Sequence, residues 1–394
     1  RQKVIIYTLK MKILFLSHYA DMLGANRSLL SLVEGLKTRG VEVMVWCRKA
    51  GSFTKALADA AIPFQVFPYY NWADTFLYPG YWLLPLRHFQ NKRILSQLIQ
   101  AAKVFQPDLI HTNSSVLPIG HYLSEALAIP HVWHIREMAR LHYNMRFFPS
   151  RNHLIDALKK TARVVVISQK VKEVVIGDQS IHWSLIYNGI LDKHQILANQ
   201  ELLNRERNPS QPFRFLIIGM IHPNKGQMDA LQAFGLLDDP NSELHIVGSG
   251  RKQYTRQLKY WAKSNGIADR VVFHGYVAHP QSIFQEADAV LMCSRNEGMG
   301  RVTVEAMAYG KPVIGLVSGA TPELIDHQVN GLLYRDGPEN LAKCMRRLVE
   351  QPRQAKAMGE QGWRKAQVEY TTEQYIQNMY SLFLDVLGER ENTA

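Results

Sequence analysis

Short apolar runs alternate with helix-patterned stretches from one end of this 394-residue chain to the other. Lys12-Ile13-Leu14-Phe15-Leu16-Ser17 is followed by a helical pattern over Arg27 to Arg39, and then by Val41-Glu42-Val43-Met44-Val45-Trp46. The same rhythm continues through Asp108-Leu109-Ile110-His111, His131-Val132-Trp133-His134 and Arg163-Val164-Val165-Val166-Ile167-Ser168. Strand, helix, strand in repetition implies a mostly parallel sheet covered by helices, with right-handed crossovers.

Between Tyr187 and Pro212 the rhythm breaks into a polar stretch ending Asn208-Pro209-Ser210-Gln211-Pro212, which reads as an interdomain connection. A second set of strands follows: Arg214 to Ile218, Glu243 to Val247, Arg270 to Phe273, Ala289 to Met292 and Pro312 to Gly315. The expected organisation is therefore two doubly wound α/β domains, over residues 11–190 and 212–371. A C-terminal helical segment, 372–394, is patterned from Thr372 to Leu387 and free to dock on either domain. The length suits two domains with well-developed cores. In open α/β sheets ligands gather beyond the carboxyl ends of the strands, so the expected site is a cleft between two such edges.

Composition narrows the class. Hydrophobic residues make up 46% and charged residues 20%, too apolar for long disorder. No stretch approaches the roughly 18 apolar residues of a membrane span, and no secretory cleavage pattern follows the start, so a cytoplasmic location is expected. Arg1 to Lys10 precede the run beginning Met11-Lys12-Ile13 and are read as upstream sequence. Cys47, Cys293 and Cys344 are far apart and suggest neither a disulfide framework nor a thiolate metal site. Charge is uneven: residues 1–190 hold 23 Lys+Arg against 11 Asp+Glu, residues 191–394 hold 23 against 23, and the net charge of +12 lies in the first half. An acidic partner for that half is implied, with anionic lipid, a phosphorylated acceptor and nucleic acid as candidates.

The most informative segment runs Glu297-Gly298-Met299-Gly300-Arg301-Val302-Thr303-Val304-Glu305, after one strand and into a helix. Two glycines let backbone approach a ligand, and a helix amino terminus offers unpaired N–H groups and partial positive charge to a diphosphate. Glu297 falls in the loop and Glu305 one to two turns into the helix, so their carboxylates reach opposite ends of an extended ligand, where hydroxyls are natural partners. Either glutamate alone reads equally well as a favourable charge near a helix start. A glycosidase-style pair is disfavoured, because such carboxyls sit about 5 to 9.5 Å apart with no phosphate site between them.

Gly219-Met220-Ile221-His222-Pro223-Asn224-Lys225-Gly226 links a strand to a helix over Gln227 to Leu237 and places Lys225 as a point charge for phosphate. Gly24, in Leu23-Gly24-Ala25-Asn26-Arg27, brings backbone N–H near the same diphosphate. The absence of GxGxxG argues against a dinucleotide oxidoreductase. His134 ends a strand, where an α/β domain displays functional side chains. With His131 it lacks the spacing of a helical zinc motif, and no Asp-x-Asp occurs, so neither metal nor cofactor is expected.

Together these segments resemble the retaining glycosyltransferase family 4 with the GT-B fold, two Rossmann-like domains facing across a cleft, from about Lys12 to the C-terminal helix. Glu297 and Glu305 resemble its E-x7-E motif, and Ser318-Gly319-Ala320-Thr321-Pro322-Glu323 with Asn330-Gly331-Leu332-Leu333 resembles its next signature. The resemblance implies that Glu297 and the backbone of Gly298, Met299, Gly300 and Arg301 meet the donor sugar, and Glu305 the ribose. By the same resemblance, Lys225 holds the diphosphate, Gly219 is among the donor-binding residues, Tyr276 and Val277 meet the base through backbone, Gly24 is the first-domain loop glycine, and His134 faces the donor sugar. His134, Glu297 and Lys225 are the catalytic candidates. Met220 stands where the family usually has Arg, so one phosphate contact is lost unless Arg301 compensates. Retention of configuration is implied, with the departing diphosphate oxygen accepting the acceptor's proton.

The implied partners are a nucleotide-sugar donor and a glycan or lipid-linked acceptor of cell-surface polysaccharide synthesis. Phe76-Leu77-Tyr78-Pro79-Gly80-Tyr81-Trp82-Leu83-Leu84-Pro85-Leu86-Arg87-His88-Phe89 with Lys92-Arg93, and Arg140-Leu141-His142-Tyr143-Asn144-Met145-Arg146-Phe147-Phe148, mix aromatics with cations. Such segments suit peripheral contact with an anionic membrane, at the inner face of the plasma membrane for a cytoplasmic protein, or else ordinary packing. A sugar-nucleotide epimerase, a glycan phosphorylase and a catalytically silent nucleotide-sugar or nucleic-acid binder are the competing readings. Nucleic acid is not expected, because no recognisable reading motif accompanies the charge.

Overall fold

The computed structural model describes residues 11–76 and 78–391. The expectation for Arg1 to Lys10, residues 392–394, Leu77, and the side chains of His142 and Tyr143 in the second aromatic stretch fall outside what is described. The chain divides into two compact units, one comprising residues up to Asn188 together with those from Tyr375, the other Gly189–Gln374.

The first unit holds β1 (Lys12–Ser17), β2 (Glu42–Cys47), β3 (Phe64–Val66), β4 (Ala73–Thr75), β5 (Leu109–Thr112), β6 (His131–Ile135), β7 (Met145–Phe147), β8 (Arg163–Val166) and β9 (Trp183–Leu185). Seven of them form one parallel sheet in the order β3-β2-β1-β5-β6-β8-β9, while β4 and β7 pair antiparallel apart from it. Why β1 is apolar at consecutive positions is seen in its packing. Ile13 and Phe15 join one core with Leu29, Leu32 and Leu36, whereas Leu14 and Leu16 join another with Trp46, Leu98 and Leu123. Side chains alternate across a strand, so a sheet covered on both faces needs apolar residues at every position.

The C-terminal helix Thr372–Glu391 completes the first of those cores: Tyr375, Met379 and Phe383, four residues apart, lie on it with Ile13 and Phe15, and the Phe15 and Phe383 rings are 6.2 Å apart. The sequence pattern left its docking open; its residues from Tyr375 belong to the first unit.

The second unit holds β10 (Phe213–Ile218), β11 (Ser242–Val247), β12 (Val271–Gly275), β13 (Ala289–Met292), β14 (Val313–Leu316) and β15 (Gly331–Tyr334), parallel in the order β12-β11-β10-β13-β14-β15. Its core sets Phe215 and Ile217 against Leu231, Phe234, Leu341 and Met345. One expectation is corrected here, and one strand goes beyond those expected. Asn330-Gly331-Leu332-Leu333 runs into an edge strand, β15. The polar stretch expected as a connection forms helices Lys193–Ala198 and Gln200–Asn204 inside the second unit. Asp192 and Gln195 make a capping box, Ile196 is buried, and Trp363 Nε1 donates to the Ile196 carbonyl at 2.9 Å. Composition masked the capping signal there.

Candidate functional site

In the second sheet, the chain leaves β10 towards β11 on one side and reaches β13 on the other, so the gap beyond the carboxyl ends of β10 and β13 is the topological switch point, where such sheets take ligands. Both motif loops open there. After β10, Pro223–Lys225 makes a short 3-10 turn in which the His222 ring accepts from the Asn224 N–H at 3.2 Å, and Gly226 leads into the helix Gln227–Leu237. After β13, Cys293 to Gly300 leads into the helix Arg301–Ala308, whose amino terminus carries no side-chain cap. The two loops are stitched together. The Arg295 N–H donates to the Asn224 carbonyl at 2.9 Å, and a Cβ on Gly226, at φ +71°, would stand 2.5 Å from the Cys293 carbonyl oxygen.

Across this seam the Lys225 ammonium is ion-paired with the Glu297 carboxylate, the side chains being 24% and 13% exposed. The sequence assigned these two groups to neighbouring parts of one ligand; the structure joins them to each other, in the loops that precede Gln227–Leu237 and Arg301–Ala308. Glu305 sits one turn into that helix, half-buried, with Arg301 Nη2 at 4.0 Å. The loop after β14 fixes Glu297 from behind. Ala320 N–H donates to the Glu297 carbonyl at 2.9 Å, Ser318 Oγ accepts from Asn296 N–H at 3.1 Å, and Gly319 sits so close that a Cβ there would be 2.5 Å from the Glu297 nitrogen and oxygen. The Ser318-Gly319-Ala320 signature is thus a clamp on the motif loop. Asn330 is likewise structural, its side chain accepting from Asp326 N–H at 2.9 Å and donating to the Leu324 carbonyl at 3.2 Å.

The Gly219 N–H donates to the Val247 carbonyl at 3.0 Å, extending the β10–β11 ladder, so this N–H is already engaged. Met220 is 57% exposed beside it, and buried Gln227 donates to the Met220 carbonyl at 3.0 Å, holding the turn in shape. Arg295, missed in the sequence, is held by both Asp336 oxygens at 2.9 Å and by Asp229 at 3.2 Å, and the Asp336 bonds raise its pKa. Tyr276, exposed, and Val277, half-buried, follow β12, three strands from β13. At about 4.8 Å per strand the carboxyl edge from Tyr276 to Glu297 spans about 14 Å, room for one extended ligand.

In the first unit the switch point lies between β1 and β5. Gly24 opens the helix Gly24–Thr38 there, and Asn113, after β5, donates to the Ala25 carbonyl at 3.1 Å. Buried Asn26, also missed, donates to the Tyr19 and Asp21 carbonyls at 3.1 and 2.8 Å and shapes the loop. His134 departs from expectation. It lies on β6 but is fully buried, its Nδ1 3.4 Å from both Arg136 Nη2 and His111 Nε2. Arg136 in turn donates to Asn113 at 2.5 Å, to Asn188, and to the Tyr375 hydroxyl at 2.8 Å. Burial first, then Arg136 and His111, hold the His134 pKa well below its ordinary value, so the ring is neutral. The C-terminal helix, through Tyr375, closes what the strand-end position opens.

A family model described as Glycosyltransferase Family 4 matches residues 23–192, and one described as Glycosyl transferases group 1 matches residues 199–365, together most of the chain. The chain is 27% identical over 252 residues to N-acetyl-alpha-D-glucosaminyl L-malate synthase of Bacillus anthracis, covering 62% of this chain and 65% of that one, just under two thirds of the relative's length. It is 23% identical over 326 residues to alpha-monoglucosyldiacylglycerol synthase of Streptococcus pneumoniae, covering 77% and 73%. In fold it is similar to the crystal structure of Anabaena HepE in complex with UDP, with a TM-score of 0.77 over 95% of this chain and 100% of that one at 24% identity.

Proposed function

We propose, for a chain that belongs to glycosyltransferase family 4, the transfer of a sugar from a nucleotide-sugar donor to a glycan or lipid-linked acceptor, with retention of configuration, in polysaccharide or glycolipid synthesis. The observation that carries the reading is the Lys225–Glu297 pair across the β10/β13 switch point, beside an uncapped helix start. A diphosphate there takes the ammonium and the first-turn N–H groups, which frees the Glu297 carboxylate to accept from sugar hydroxyls. Glu305, one turn further, suits the ribose, and the edge towards Tyr276 suits the base. As the glycosidic bond breaks, negative charge grows on the diphosphate oxygen, and Lys225 with the helix terminus stabilises it in place. That oxygen, on the face the acceptor approaches, takes the acceptor's proton. Met220 contributes no charge, so Lys225 carries more of this stabilisation than it would beside an arginine. His134, closed in the first unit, is a positioning group through Arg136 in this reading.

UDP and UDP-glucose occupy solved structures of the same fold, and one relative is named for a glycolipid product; both favour a nucleotide-sugar donor and a lipid-type acceptor. Among the described residues no helix is long and apolar enough to cross a membrane. Tyr78, Trp82, Leu83, Leu86 and Phe89 are all about half exposed or more, beside exposed Lys92 and Arg93, which supports peripheral contact with an anionic membrane. The test of the reading is a screen of sugar nucleotides by thermal denaturation: at least one raises the melting temperature in proportion to the logarithm of its concentration, and a flat response to all of them sinks it.

A further inference from the structure

A cavity of about 490 Å³ lies wholly in the first unit, among the loops that leave β5 and β6, the short strand β7 and the helix that follows β8. It sits beyond the carboxyl ends of the parallel strands, where this fold class takes ligands, yet none of the donor-binding residues lines it. Arg140, Arg146 and Arg151 line it, and among the described residues no carboxylate is ion-paired with any of the three. Acids adjacent to the lining in the chain or the ladder are already engaged, Glu173 beside Val174 by Lys170 at 3.0 Å. Asp74, opposite Arg146 in the β4–β7 ladder, is paired with Arg87 at 2.8 Å. Glu137 accepts at one oxygen from Ser114 Oγ at 2.7 Å and from the N–H and Oγ of Ser115 at 2.7 and 2.5 Å.

Two of the guanidiniums are held ready. Arg151 Nη2 donates to the Val174 and Val175 carbonyls at 3.2 and 3.0 Å, and Arg146 lies 4.0 Å from the centre of the Phe76 ring. Arg151 is also the first residue of the helix Arg151–Lys159, which begins at Ser150 on the cavity wall and has no acid in its first turn. An arginine at a helix amino terminus opposes the helix dipole, so this placement costs stability unless an anion offsets it. Three arginines therefore line one concave space with no carboxylate paired to them, beside a helix start whose Ser150 hydroxyl already accepts from the His153 N–H at 3.3 Å.

We propose that this cavity binds a phosphate or diphosphate group carried by the acceptor. Guanidiniums bind such groups bidentately, and a cavity of this volume takes a phosphorylated sugar but not a nucleic-acid helix. Tyr81, on its wall, has its ring 5.4 Å from that of exposed Trp82, so an alkyl chain on the phosphate continues onto the exposed aromatic surface. The inference rests on the transferase reading and deepens it.

Hydrogen-exchange mass spectrometry of the full chain, with farnesyl diphosphate and with glucose 6-phosphate as probes, tests it. Exchange slows over residues 139–154 with at least one probe, and the double variant Arg140→Gln, Arg146→Gln weakens that probe's binding about tenfold or more while the donor's thermal shift is unchanged. Protection by farnesyl diphosphate alone assigns a lipid-linked source of the phosphate; protection by glucose 6-phosphate assigns a soluble one. No protection in this segment by either probe, or equal affinity in the double variant, overturns the proposal. Because the donor's thermal shift is read in the same samples, a failure here with that shift intact leaves the donor reading standing, and its loss strikes that reading instead.

Discussion

Gly319 controls the position of Glu297 without a side chain of its own. Its φ of +58° and the 2.5 Å that would separate a Cβ from the Glu297 backbone both forbid a larger residue. The left-handed backbone alone costs a residue with a Cβ about 1–2 kcal/mol. Gly319→Ala is expected to lower the unfolding free energy by that order and to weaken donor binding about tenfold, read by denaturant titration and calorimetry; wild-type affinity would show that the clamp does not set the carboxylate. Lys225, Glu297 and Glu305 were legible because their residue types and spacing carry chemistry along the chain. The role of Gly319 was not, since it depends on two loops, after β13 and β14, meeting in space. His134 was legible as a strand-end residue but not as a buried one, because what closes over it includes Tyr375, far away in sequence.

The C-terminal helix shows what an element adds. Its apolar residues recur four apart, and this periodicity identified the helix, but periodicity does not say which surface an amphipathic face will cover. Phe383 is fully buried against Phe15 and His111, with ring separations of 6.2 and 5.9 Å. Phe383→Ala should destabilise the first unit by about 3–5 kcal/mol, measured by denaturant unfolding, and a cost below about 1 kcal/mol would mean the helix is not part of that core. The βαβ rhythm revealed the longer strands other than β15 because consecutive apolar residues mark a strand buried on both faces. Strands β3, β4, β7 and β9, three residues each, are too short to display any period. Between residues 192 and 204 the capping pair Asp192 and Gln195 was present, yet a polar composition outweighed it.

Over the whole molecule, charge and buried histidines set the response to pH. Burial, reinforced by Arg136 and Arg48, lowers His18 to about 3, and burial with His121 nearby lowers His131 to about 3. Both belong to the first unit. Their folded pKa values lie below the unfolded value of 6.5, so between these limits the unfolded chain binds protons that the folded chain refuses. Stability of the first unit is therefore full above about pH 6.5 and is lost progressively as pH falls towards 3. Denaturant midpoints measured between pH 7 and pH 4 should fall with pH, and a flat profile would contradict the buried neutral state of these rings. The excess of cations in residues 1–190 now has a local expression in the three arginines of the cavity, whereas the even charge of the second half surrounds the donor loops.

The central claim is that the β10 and β13 loops bind the diphosphate of a nucleotide sugar through Lys225. The most direct measurement is a calorimetric titration of the wild type and Lys225→Ala with the nucleoside diphosphate whose sugar conjugate stabilises the protein. The account predicts saturable binding to the wild type and at least about tenfold weaker binding to the variant, about 1.4 kcal/mol, with the fold intact. Equal affinity in the two proteins would contradict it.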